Sequence, residues 1–297
     1  MNQQLIIKTK NVNTIQNKKN EGYDLLVLMD FSESSYISLK YAISLAKITQ
    51  GNIHVCHIGN PEKIVKHDKQ PAALRAIESK TKKVENKLGS IIEIITTEGI
   101  QATCHQVVGN IINELESVLD EVKPDLIVVG KKKEKSKFSG KLSNYLLNNY
   151  PGSLLITGMD GVFKIDTTIS LACNKTTLRQ YPPILVNKID RNTTSSLKLI
   201  NIKVSAESNG EIDLPKSWKS FYTSNLNIQL IYKESSTVIK GLENHISEKK
   251  VELLCIGKGQ HRNFLQQLFS RKATMISEII NKINIPVLIM EPNSNAN

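Results

Sequence analysis

With 297 residues, 40% hydrophobic and only 5% aromatic, the chain suits two domains of about 140 residues with aliphatic cores. Its net charge of +11, from 39 Lys plus Arg against 28 Asp plus Glu, is spread along the chain as on a solvated, lysine-rich surface, and no aromatic-interleaved basic motif points to nucleic acid. No apolar stretch is long enough to span a bilayer, the polar segment Met1 to Gly22 has no signal-peptide core, and Cys56, Cys104, Cys173 and Cys255 fall in no metal-type spacing, so the reading is a soluble cytoplasmic protein with reduced core thiols.

Residues 1–22 form an N-terminal arm, either loose or adding an edge strand through Leu5-Ile6-Ile7. Leu25 to Met29 is an uninterrupted apolar run of strand length, as in a parallel sheet covered on both faces. Asp30 follows it, where open α/β sheets bind ligands, and Ser32 and Ser34 can cap the next helix, whose N-terminus favours anions. That helix is expected from about Ser34 to Thr49, with a stripe of Ile37, Tyr41, Leu45 and Ile48, and Gly51-Asn52 is expected to stop it. A second strand is expected at Ile53 to Ile58 and a charged helix at Gln70 to Leu88, with Ile91 to Ile95 as its continuation. A third strand spans about Ala102 to Val108 and a helix Ile111 to Val122. Leu126 to Val129 is a fourth buried strand ending at Gly130. After a lysine-rich loop come a helix from about Leu142 to Asn149 and a strand at Ser153 to Ile156. The rhythm implies right-handed crossovers and an open parallel sheet.

The second half repeats the first. Asp125-Leu126-Ile127-Val128-Val129-Gly130-Lys131 matches Glu252-Leu253-Leu254-Cys255-Ile256-Gly257-Lys258, each after a charged helix (Thr237 to Lys249 in the second case) and each before a loop, a helix and a short strand, the later one at Pro286 to Ile289. The separation is domain-sized, which indicates tandem duplication and not a solenoid. The copies differ: Asn174-Lys175-Thr176 offers no carboxylate where Asp30 stands, and Pro182-Pro183 interrupts the following helix. The long charged helix is reduced to a short one at best around Trp218.

These residues carry a family resemblance. Leu26-Val27-Leu28-Met29-Asp30-Phe31-Ser32-Glu33-Ser34, then Leu39-Lys40-Tyr41-Ala42, His57, Gly109-Asn110, Pro124 to Gly130 and Ser143 to Leu147, resemble a universal stress protein domain over nearly all of Tyr23 to Thr157. The resemblance implies two tandem Rossmann-like α/β/α domains with five-stranded parallel sheets, at 23–160 and, in degenerate form, at 165–293. It further implies pairing through their last strands, Ser153 to Thr157 with Pro286 to Glu291. Many members bind ATP through a G-x-x-G motif after the fourth strand, then nine residues, then Gly with Ser or Thr. The resemblance thus implies a stress-response protein with ATP or AMP, and Mg with it, in the first domain along Met29, Asp30, Phe31, Ser32, Ile58, Gly130, Lys132, Lys133, Gly140, Lys141 and Leu142. The motif is incomplete: Lys133 stands for the second glycine and Lys141 for the Ser or Thr.

Each singled-out residue has a plainer alternative. Asp30 is a ligand carboxylate or a helix cap, and Gly130 a nucleotide contact or a tight turn. Lys131, Lys132, Lys133, Lys135, Lys137 and Lys141 hold phosphates electrostatically or form a solvated loop. Cys56-His57 and Cys104-His105 are core residues or a zinc site, although neighbours along a strand face opposite ways. No nucleophile elbow or paired carboxylates support catalysis, so any ATP hydrolysis is expected to be slow. The alternatives to a nucleotide-binding regulator are an interaction protein of the same fold that binds no nucleotide, and a slow ATPase. A homodimer and an unidentified protein partner fit either.

Overall fold

The protein, in a computed structural model, is described over residues 22–60, 70–131, 138, 140–159, 163–164, 166–173, 178, 185–186, 189, 197–204, 228–258 and 272–291. The expectations for the N-terminal arm up to residue 21, Lys132, Lys133, Lys135, Lys137, Asn174-Lys175-Thr176, Pro182-Pro183 and the Trp218 region lie outside the described residues. Two compact units, 1–129 and 130–297, are taken in turn.

The first unit contains β1 (Asp24–Leu28), α1 (Glu33–Thr49), β2 (Asn52–Gly59), α2 (Gln70–Thr97), β3 (Ala102–Val108), α3 (Ile111–Val122) and β4 (Leu126–Gly130), whose last residue opens the second unit. Its strands lie in the order β3-β2-β1-β4, all parallel. Leu25, Leu26, Val27, Leu126, Ile127 and Val128 are wholly buried, as their unbroken apolar runs require, and each such side chain contributes about 1.5–3 kcal/mol. The buried face of α1 keeps Tyr41 and Leu45 of the expected stripe. Ser38, Leu39, Ala42, Leu45, Ala46 and Thr49 face inward, whereas Ile37 and Ile48 sit at its margin. Small hydroxyl residues can be buried there because Ser38 and Thr49 donate to the carbonyls of Ser34 and Leu45 (3.0 and 2.8 Å), leaving no unpaired donor and letting the helix approach the sheet. The helix stops at Gln50, in the left-handed conformation at φ 53°, not at the glycine. Gly51 is required for another reason: a Cβ there would lie 2.1 Å from the Tyr23 carbonyl oxygen. Helix α2 runs unbroken through Gly89, where nothing packs against the missing side chain, and buries Leu88, Ile91 and Ile95.

The second unit contains α4 (Lys141–Asn148), β5 (Ser153–Thr157), β6 (Ile169–Ala172), β7 (Lys198–Val204), β8 (Gln229–Ser235), α5 (Val238–Lys249), β9 (Leu253–Gly257), α6 (Lys272–Lys282) and β10 (Val287–Met290). Its strand order is β5-β10-β9-β6-β7-β8. Strands β6 to β10 are mutually parallel, and β5 joins β10 antiparallel with Leu155 opposite Leu288. Among the described residues no helix is long and apolar enough to cross a membrane.

The sequence repeat is reproduced in backbone detail. Helices α3 and α5 are each 12 residues, capped at the start by Asn110 and Thr237 and closed by Lys123 and Lys250 in the left-handed conformation. The acid before each following strand does one job twice: Asp125 Oδ2 accepts the Asp24 N–H at 2.8 Å, and Glu252 Oε2 accepts the Thr168 N–H at 2.9 Å.

Candidate functional site at the end of β1

The chain runs from β1 to β2 and β3 on one side and returns to β4 on the other, so the order reverses at β1. Open α/β sheets bind ligands beyond the carboxyl ends of strands at such a switch point. Met29, Asp30, Phe31 and Ser32 form the turn that leaves β1 there. Met29 is buried and donates its N–H to the Cys56 carbonyl at 2.8 Å.

Asp30 is exposed, and its carboxylate is oriented by its own turn. Oδ1 accepts the Ser32 N–H at 3.0 Å and also the Ser32 hydroxyl. Ser32 is the N-cap of α1, with its oxygen 3.4 Å from the Ser35 N–H, so Asp30 fixes the cap and is not the cap itself. Ser34, also expected as a cap, lies inside the first helical turn with its hydroxyl 2.9 Å from that of Ser32.

Phe31 is a non-glycine residue at φ 61°. That conformation is costly for a residue with a Cβ and is kept where surrounding contacts over-determine it. The contacts are the His57 ring, with centroids 4.8 Å apart, and the Lys87 ammonium, 5.0 Å from the Phe31 centroid. The cation over the ring adds about 0.5–1 kcal/mol. His57 Nδ1–H donates to the Met29 carbonyl at 2.8 Å, which holds both the turn and the ring it stacks on. In the second copy Asn201 Nδ2 donates to the Cys173 carbonyl at 3.2 Å from the matching place on β7. The strap is therefore kept while the residue type changes, and it is a structural role. Ile58 follows His57 on β2 and is half-buried. No sequence signal marked Lys87, which reaches Phe31 from the middle of α2.

Gly130, Gly140, Lys141 and Leu142 belong to the second unit. Gly130 ends β4 and has no positive φ. Gly140, at φ 110°, precedes α4 and takes a backbone conformation that glycine alone adopts without strain. Lys141, at the first position of α4, is exposed, and Leu142 is half-buried. Lys131 departs from both expectations for the lysine loop. It is 2% exposed, and Nζ donates to the carbonyls of Ile280 (2.8 Å), Ile283 (3.0 Å) and Asn281 (3.5 Å) at the end of α6. An ammonium so engaged is neither solvated nor directed at a phosphate.

Three of the four cysteines are buried as expected, but Cys104 is only half-buried. Burial pushes the Cys56 and Cys173 thiols up to about 12, away from the thiolate that metals require. Cys56 lies opposite His105 in the β2–β3 register, and the His54 and His105 rings are 5.9 Å apart. His54 Nδ1 pairs instead with Thr103 Oγ1 at 2.7 Å. Among the described residues no group of three or more His, Cys, Asp or Glu could hold a metal ion.

The parallel sheet, its switch point and the polar turn beyond β1 define a doubly wound, Rossmann-like α/β protein. The universal stress protein family matches residues 24–158. A universal stress protein from Archaeoglobus fulgidus superposes with a TM-score of 0.69 at 15% identity, over 92% of this chain and 97% of that one. A functionally unknown protein from Pseudomonas aeruginosa superposes with a TM-score of 0.60 at 14% identity, over 91% and 92%. At those identities the two structures show shared fold alone. A universal stress protein in complex with cAMP matches with a TM-score of only 0.34 at 20% identity, over 48% of this chain and 100% of that one, which bears on no ligand here. No curated protein matches the sequence. Residues 24–158 form a universal stress protein domain.

Proposed function

We propose that this is a tandem universal stress protein, with domains at 23–160 and 165–293, acting in the cytoplasm in a stress response and binding ATP or AMP in its first copy at the carboxyl end of β1. One observation carries the reading: an exposed carboxylate, Asp30, is held in fixed orientation at the switch point by the turn that begins α1. A carboxylate so placed can accept hydrogen bonds from the hydroxyl or amino groups of a nucleoside, and the residues therefore suit that ligand class. Gly130, Lys132, Lys133, Gly140, Lys141 and Leu142 are carried over from the family resemblance as its phosphate contacts, with Mg accompanying a triphosphate.

Calorimetric titration with ATP and with AMP, each with and without Mg, tests this. Saturable heat is expected for the wild type, with affinity about tenfold lower for Asp30→Ala, the loss of one charge-assisted hydrogen bond. Absence of heat and of any thermal shift in the wild type overturns it. One observation favours a second reading, an interaction protein of the same fold without nucleotide. The first loop lysine, Lys131, is withdrawn into a helix end, so the loop does not replace its missing glycine with that charge. No heat and no thermal shift for the wild type and for Asp30→Ala alike would establish that alternative.

A further inference from the structure

The lysine of the repeated Gly-Lys pair is not among the contacts of the nucleotide reading. Lys131 follows Gly130 at the end of β4, and Lys258 follows Gly257 at the end of β9, at matching places in the two copies. Lys131, from the first copy, donates to the carbonyls of Ile280 and Ile283 at the end of α6, in the second copy. Lys258, from the second copy, donates to the carbonyls of Tyr150 and Leu146 at the end of α4, in the first. Its Nζ also lies 5.4 Å from the Tyr150 ring centroid. All these residues lie within the second compact unit.

The chemistry is that of helix C-terminal capping. The last carbonyls of a helix have no partner within it and carry its partial negative charge, so an ammonium satisfies several at once. The exchange is reciprocal, as in an isologous contact where residue i meets j and j meets i. The pairing of β5 with β10, Leu155 opposite Leu288, runs through the same segments. Helices α4 and α6 also pack on each other.

We propose that Lys131 and Lys258 are reciprocal locks, each leaving a strand of its own copy to cap the last helix of the other, so that the lysine of each Gly-Lys pair joins the copies. The lock gives the second copy, which has no carboxylate at the place of Asp30, a task of its own. Lys131 fixes the start of the loop that leads to Gly140, and Lys258 fixes the far end of the helix that this loop enters. The proposal stands whether or not a nucleotide binds.

Acetylation of the full wild-type chain with acetic anhydride, followed by mass spectrometry, reads the lock directly. Lys131 and Lys258 are expected to react at least about tenfold more slowly than exposed Lys141, because a donated ammonium must first break free. Reaction of either at the rate of Lys141 overturns the proposal. Hydrogen exchange then reads the direction of the lock. Lys131→Met should speed exchange of the Ile283 amide, and Lys258→Met that of the Tyr150 amide, each by about tenfold or more, while the amides of Leu126 to Val129 keep their wild-type rates. A wild-type rate at Ile283 in Lys131→Met, or at Tyr150 in Lys258→Met, overturns it as well. Should a variant fail to fold, the wild-type acetylation remains decisive.

Discussion

The two copies differ in what they bury at matching positions of the first strand and of the helix before the fourth. In the first, the strand that starts the domain is apolar to its end, and the carboxylate stands beyond it, exposed. Leu26 in β1 and Val118 in α3 are both buried. In the second copy the matching positions carry Ser170 in β6 and His245 in α5, both wholly buried and joined through Ser170 Oγ and His245 Nε2 at 2.9 Å. Among the described residues two buried side-chain atoms in each copy lack a hydrogen-bond partner: His105 Nε2 and Gln106 Oε1 in the first, Asn201 Oδ1 and His245 Nδ1 in the second. At these positions of strand and helix the first copy is apolar, and the second carries a hydroxyl–imidazole pair within its core.

Exchanging these residues breaks or sharpens that contrast. Leu26→Ser should destabilise the chain most, by about 3 kcal/mol in urea unfolding, because it removes buried apolar volume and buries an unpaired hydroxyl. The reverse pair Ser170→Leu with His245→Val should leave stability equal or higher; a large loss would mean that the buried pair specifies the second core. Acid should also act through the second copy. Burial first, then the nearby Lys233 and Lys198, lowers the His245 pKa to about 4. The unfolded imidazole takes up its proton near the ordinary value of about 6.5, while the folded one resists until about 4, so stability falls as pH drops through that window, by up to about 3 kcal/mol. Urea midpoints between pH 7 and 4 should show this slope, and His245→Val should flatten it.

Smaller effects test the turn itself. Gly140→Ala should cost about 1–2 kcal/mol, because its φ of 110° suits no residue with a Cβ. Asp30→Ala should cost about 1 kcal/mol of stability, because both of its bonds to Ser32 are exposed, so that its effect on nucleotide binding can be read in a folded protein. His57→Asn, which installs the strap residue of the second copy, should change the thermal midpoint least of all. A loss of more than about 1 kcal/mol would show that stacking on Phe31, and not the bond to the Met29 carbonyl, is what His57 supplies.

Much of this architecture is already present in the one-dimensional pattern. Continuous Leu, Ile and Val runs fix which strands are buried on both faces, Asn110 and Pro124 bound α3, and the Asp125 to Lys131 repeat reveals the duplication, because these signals act over a few residues. The carboxylate at the end of β1 is legible for the same reason. The one-dimensional pattern is ambiguous where two choices are locally equivalent. Ile37 and Ile48 were expected to face the core of α1, but buried hydroxyls satisfied by carbonyls of the preceding turn took that face. The turn at Gln50 could not be told from one at Gly51, since the decisive fact is the approach of Tyr23.

What tertiary structure alone decided is where long side chains and lone polar atoms end up. In sequence, Lys131 is the first of a run of lysines and indistinguishable from its neighbours; in space it reaches carbonyls about 150 residues away, a pairing set by how β10 and α6 are placed. The same holds for Lys87 over Phe31 and for His245 on Ser170. A lysine stem can extend over six ångströms in any direction and a buried histidine takes whatever donor its neighbours leave, so composition and spacing determine the layers of this protein, while the partners of its charges are determined only when those layers are packed.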